Sequence, residues 1–158
     1  MVEAAFTAIR DAFGLEWTIE TQGINVADRP SGAGGDITVR SRGSILLAVE
    51  VTERPVDRDR VVATFHSKIA PQGIGDYLFL IREGISDEVA RQTRQYFAQG
   101  NEINFLEMRV WLRSVLATTG KHGRDIFNNL LVQKLQAAEM PAALKVAWNE
   151  QIARITST

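Results

Sequence analysis

The stretch Ile45–Val51 (ILLAVEV) is apolar at nearly every position, and it constrains the chain more than any other segment. A strand that is apolar on both faces must be covered on both, which places it in the centre of a sheet. Before it, Asp36–Arg40 (DITVR) is a second run suited to a strand, and Ser41–Arg42–Gly43–Ser44 separates the two. Two such runs around a glycine turn predict a β-hairpin. The exception within the apolar run is Glu50. A carboxylate there needs a partner or a metal ion, because an unpaired buried charge is prohibitively costly.

The flanking segments supply cover for this hairpin. Val2, Phe6, Ile9 and Phe13 recur at helical spacing and Gly14 ends the pattern, predicting an amphipathic helix over residues 2–13. Residues 17–24 read as a first strand, and 27–35 (ADRPSGAGG) as a loop. Pro55 stops the third strand, and Asp57 can cap a helix carrying Val61, Phe65 and Ile69 and ended by Pro71 and Gly73. DYLFLI (76–81) is another buried strand; Ser86 starts a helix running to Gly100; INFLEM (103–108) is one more short strand. From Arg109 the pattern is helical, broken at Gly120–Gly123 and at Met140–Pro141. The order α-β-β-β-α-β, followed by further helices, defines an α/β domain with a mixed central sheet and additional C-terminal helices. A length of 158 residues fits one domain, 1–158.

Composition removes several classes of function. There is no cysteine, which excludes disulfides and thiolate zinc sites. The two histidines, His66 and His122, have no ligand-like spacing. No apolar run is long enough to span a membrane, and residues 1–14 lack the layout of a secretory signal, so a cytoplasmic protein is expected. A formal net charge of −1 argues against a strongly basic nucleic-acid clamp. It leaves room for an enzyme with an acidic metal site and a local basic rim.

Asp36 and Glu50 are the candidate metal ligands. A three-residue turn (Arg42, Gly43, Ser44) would set Asp36 opposite Glu50 on one face, with Cβ atoms about 4.5–5.5 Å apart. A two-residue turn without a bulge would pair Asp36 with Val49 instead and send Glu50 to the other face. Two unpaired carboxylates so close repel each other unless a divalent cation lies between them. Mg²⁺ favours such oxygens and binds substrate phosphates as well. Thr52 returns to the face of Glu50 by alternation. The plainer alternative makes Asp36 a residue after a glycine turn and Glu50 a strand charge with a salt-bridge partner.

The element order, with an acid opening the second strand and an acid-x-basic position closing the third, resembles the PD-(D/E)xK nucleases. SGAGGDITVR, ILLAVEVTERPVDRDRVVATFHSKIAP and DYLFLI resemble the catalytic part of SacI-type restriction endonucleases, and NEINF, LATTGKHGRDIFNNLL and LKVAWNEQI continue the likeness to about Ile152. The resemblance implies a Mg²⁺-dependent endodeoxyribonuclease, able to use Mn²⁺, acting on double-stranded DNA, with a homodimer as an assembly matched to palindromic sites. It implies that Asp36, Glu50 and the Val51 carbonyl hold the metal. The superfamily's lysine falls on Thr52, whose hydroxyl carries no positive charge. Either another cation reaches in or activity is reduced or absent. Arg54 continues the Glu50–Thr52 alternation and is the expected substitute; Lys68, the closer chemical match to the lysine, sits about 16 Å along its helix and reaches the metal only if that helix crosses back over the strand ends. The alternative implication is a non-catalytic DNA-binding or oligomerisation module, and a plain interaction domain is a third.

The remaining features divide between function and background. SGAGGD could present amides to a phosphate or be a simple connection. Arg29, Arg40, Arg54, Arg58, Arg60 and Lys68 could line a DNA groove, but Glu53, Asp57 and Asp59 are interleaved as on a solvated helix. Lys121, His122 and Arg124 could touch DNA. Trp111 and Trp148 read as core. Ser67, His66 and Asp76 form a triad only on paper, without a nucleophile-elbow sequence.

Overall fold

The computed structural model describes residues 1–21, 35–137 and 140–157. Its centre is a five-stranded mixed sheet in the order β1-β2-β3-β4-β5. The strands are β1 (Thr18–Thr21), β2 (Ile37–Ser41), β3 (Ser44–Thr52), β4 (Asp76–Ile81) and β5 (Glu102–Glu107). β1, β2 and β3 pair antiparallel; β3, β4 and β5 pair parallel. The helices are α1 (Val2–Phe13), α2 (Arg58–Thr64), α3 (Ala70–Gln72), α4 (Asp87–Phe97), α5 (Met108–Thr118), α6 (Gly120–Gln136) and α7 (Ala142–Thr156). A π-helical turn, Phe65–Ile69, joins α2 to α3.

β3 is covered on both faces. Val49 joins Ile37, Val39, Leu78 and Leu80 against α1, α5 and α6, with Phe6 and Trp111 in ring contact at 5.1 Å. Ala48 joins Tyr77, Phe79 and Ile81 beneath the α2–α3 crossover and α4. This places the sheet between two helical layers. Trp111 lies in the core as predicted, whereas Trp148 is half-buried in a groove between α6 and α7. Among the described residues no helix is long and apolar enough to cross a membrane.

Local signals act as the sequence predicts at several boundaries. Gly14 ends α1 at φ 62°. Asp57 caps α2 by accepting from the Arg60 amide at 2.8 Å, and Ser86 caps α4 by accepting from Val89 at 3.3 Å. β1 covers the described part of the predicted first strand except Trp17. Residues 22–34, with Arg29 and most of the glycine loop, lie outside the described residues.

The hairpin differs in one instructive way. Ser41 pairs with Ser44, so the turn holds two residues and not three, Arg42 (φ 50°) and Gly43 (φ 83°). Positive φ at both central positions is the turn geometry that matches the twist of paired strands. A bulge then shifts the register: Arg40 faces Ile45, but Val39 faces Leu47 and Ile37 faces Val49. The extra residue is Leu46, left 43% exposed. The bulge restores what the short turn removes, and the register, carried one position past its last pair of Ile37 with Val49, sets Asp36 opposite Glu50.

Candidate active site

Asp36 precedes Ile37, which faces α1, so alternation turns Asp36 to the opposite side, toward the α2–α3 crossover. Glu50 follows the same rule from β3, two positions beyond Ala48. Gly35 permits the approach. A Cβ there would lie 2.6 Å from the Val49 carbonyl oxygen, so only glycine lets the chain pass this close to β3. Asp36 Oδ2 then accepts from the Val51 amide at 2.8 Å, a donor on β3 beyond its last ladder pair with β2.

Glu50 is only 7% exposed and is fully engaged. Arg60 donates through Nη2 to Oε1 at 2.6 Å and through Nη1 to Thr52 Oγ1 at 3.0 Å. Lys68 Nζ donates to Oε2 at 3.1 Å, and the Tyr77 hydroxyl donates to the same oxygen at 2.8 Å. Burial pushes the Glu50 carboxyl up, but the Arg60 hydrogen bond, the Lys68 charge and the Tyr77 hydroxyl outweigh it and hold the group below its ordinary range. For Tyr77, burial and the Glu50 charge raise the phenol far above its ordinary value, and Asp36 adds to the rise. Tyr77 therefore serves as a hydrogen-bond donor and not as a base. Both acids act on it, as two groups on its side of the sheet must.

Two expectations are corrected here. Glu50 is not half of an unpaired repulsive pair: two cations and a phenol neutralise it. Removing its charge is therefore expected to destabilise the metal-free protein, where an isolated acidic pair would be neutral or gain. Lys68 is not out of reach. The crossover runs back over the sheet from the end of β3 toward the start of β4, carrying Lys68 down to the level of Tyr77. In a regular α-helix, eight positions would turn Lys68 about 80° away from Arg60. The wider π turn takes up most of that angle and leaves both side chains facing Glu50.

Arg54 sits differently from the sequence reading. It is exposed and lines a cleft with Glu53, Pro55, Ile81, Arg82 and Glu83 at the ends of β3 and β4. Thr52 is buried, and its hydroxyl accepts from the Arg54 amide at 3.1 Å as well as from Arg60. The residue that sequence reasoning missed is Tyr77. A tyrosine inside DYLFLI was a signal, since a buried hydroxyl requires a partner.

Other candidate residues lie elsewhere. Arg40 pairs with Glu20 at 3.0 Å; Arg58 bonds Gln92 at 3.1 Å; Lys121 pairs with Asp125 at 2.6 Å. Ser67 donates to the Ala63 carbonyl, and Asp76 faces Glu102 across the ladder, so no serine triad is assembled. Among the described residues no third His, Asp or Glu joins Asp36 and Glu50.

Residues 1–84, more than half of the 158, match the family model described as the SacI restriction endonuclease C-terminal domain. The chain belongs to this family. The match begins ahead of the resemblance read from the sequence, taking in α1, and ends at Gly84, so the later segments lie outside it. No curated protein matches the chain. Every member of the cluster in this SacI-type domain, from Asp36 to Tyr77, falls inside the matched segment. The family is one of restriction-endonuclease domains.

Proposed function

We propose that this SacI-type domain is a Mg²⁺-dependent endodeoxyribonuclease of the PD-(D/E)xK kind, cutting double-stranded DNA in a restriction system, with Mn²⁺ able to substitute. Asp36, Glu50 and the Val51 carbonyl would hold the ion. The donor set fits: all three are hard oxygens, and Mg²⁺ commonly takes one or two carboxylates and leaves the rest of its shell to water and phosphate. A paired strand residue turns its N–H and C=O to the same neighbour, so the Val51 carbonyl shares the side on which its amide meets Asp36. A bound ion of this type activates water and stabilises charge on a phosphodiester.

The observation that carries the proposal is the Lys68 ammonium, 3.1 Å from Glu50, with Asp36 across the same face. Two acids and a lysine are the chemical content of the superfamily motif. Here the lysine comes from the crossover, and Thr52, in the motif's lysine position, orients Arg60 instead. Lys68 would present positive charge to the attacking water or the phosphate; Arg54, in its exposed cleft, would contact DNA at most. Single-turnover cleavage tests this. Lys68→Ala is expected to slow cleavage about a hundredfold or more, the usual loss for one transition-state donor. Arg54→Ala is expected to slow it only severalfold, and Asp36→Asn to abolish it. A larger loss from Arg54→Ala than from Lys68→Ala would overturn the assignment.

One observation favours a second reading. Glu50 is already satisfied by protein donors, as in a static ion-pair cluster of a non-catalytic DNA-binding or oligomerisation module. Mn²⁺ titration separates the two, since a static cluster binds no ion.

A further inference from the structure

We propose that Arg60 is a displaceable latch on the cation site: it holds Glu50 in the resting protein, competes with the divalent ion for that carboxylate, and moves to a DNA phosphate when the ion arrives. The inference rests on the metal-site reading above and adds how that site is regulated.

The two oxygens of Glu50 are held unequally. Oε2 is bound by Lys68 and by the Tyr77 hydroxyl, which belongs to the fully buried core. Oε1 is bound by Arg60 Nη2 at 2.6 Å. A Mg²⁺ ligand distance is about 2.0–2.1 Å. An ion on the other lone pair of Oε1 would face the guanidinium's charge at close range, so the two compete for that oxygen. Arg60 is the partner on Oε1, and it is able to leave. It stands in the first turn of α2, its side chain is 29% exposed, and its other contact is the neutral Thr52 hydroxyl. Tyr77 has no such freedom.

The displaced guanidinium needs an anion, and a phosphate matches its planar fork. Thr52 stands at the pivot, its hydroxyl keeping a place for Arg60 beside the site. The coupling is reciprocal: by the factor that DNA, in drawing Arg60 away, raises affinity for the ion, the ion raises affinity for DNA. The resting protein would therefore hold divalent ions weakly and load them on DNA.

The test is Mn²⁺ titration of the full chain, with free Mn²⁺ read by electron paramagnetic resonance. Wild type, Arg60→Ala, Arg60→Gln and Glu50→Gln are compared with and without an excess of uncleavable phosphorothioate duplexes of random sequence. Without DNA, both Arg60 variants are expected to bind Mn²⁺ at least tenfold more tightly than wild type, and Glu50→Gln to lose binding. With DNA, wild type is expected to tighten toward the Arg60 variants, which themselves change little. Should Arg60→Ala fail to fold in thermal melts, Arg60→Gln and the DNA response of wild type carry the test. Equal or weaker binding by the Arg60 variants overturns the latch while Glu50→Gln still marks the site. No tightening of wild type by DNA overturns the transfer to phosphate. Absence of Mn²⁺ binding throughout overturns the metal-site reading and the latch with it.

Discussion

With three donors on two oxygens, the Glu50 carboxylate stays ionised inside the fold, and this fixes how stability responds to pH. Its folded-state pKa lies below the ordinary value of 4.5, so its contribution is complete above that pH and fades as pH falls through the folded-state value. Tyr77 is raised above 10, so its contribution is present below pH 10 and is lost as the solution becomes more alkaline. Urea unfolding of the metal-free protein is expected to show declining stability on both flanks, and Glu50→Gln to flatten the acid flank while lowering stability near neutrality. An unchanged acid flank in Glu50→Gln would place the titrating group elsewhere. Tyr77→Phe removes one donor to a charged acceptor and leaves the ring packed. With Arg60 and Lys68 still in place, a loss of about 1–2 kcal/mol is expected in the same assay. Glu50 announced itself in sequence as the one charge in an apolar run. Its partners did not, because Arg60 and Lys68 look from sequence like any other cations interleaved with acids on a helix.

Among the elements, the hairpin is where sequence and structure reach one result by different routes. A three-residue turn and a two-residue turn with a bulge both set Asp36 opposite Glu50. The distinguishing signal is the doublet Leu46–Leu47. Ile45 and Ala48 pack on the same face although three positions separate them, an odd spacing that plain alternation forbids. One leucine is therefore surplus to the pleat. Deleting Leu46 is expected to leave a regular hairpin with the acids still opposed, to change stability little and to preserve DNA nicking. Inserting one valine between Thr38 and Val39 moves Asp36 to the α1 face and is expected to abolish nicking. Melts and plasmid assays on both variants check this; loss of nicking in the deletion would show that the bulge has another task. The position of Lys68 was not legible for a related reason. Straight-helix geometry measures distance along an axis, whereas reach depends on the crossover folding back and on a π turn that no residue in FHSKI advertises.

At the scale of the whole molecule, the order of elements was readable because each boundary carries its own chemistry: Gly14, Asp57, Gly73 and Ser86 act locally. The matched segment nevertheless does not hold a complete core. Phe6 packs on Trp111, and Lys134 pairs with Glu3 at 2.8 Å, so residues beyond Gly84 close the layer over α1. β3 links the two kinds of ladder in this sheet, and their loops differ greatly in length: two residues to β2, the entire α2–α3 crossover to β4. Closing the short loop is entropically cheaper, so the hairpin is expected to precede the crossover in refolding. During that interval Asp36 and Glu50 confront each other before Arg60, Lys68 or Tyr77 has arrived. The barrier to folding then contains a repulsion that the native state has already cancelled. Stopped-flow refolding should accordingly run faster in Glu50→Gln than in wild type even though the variant is less stable, and a slower variant would mean that the cations dock before the acids meet.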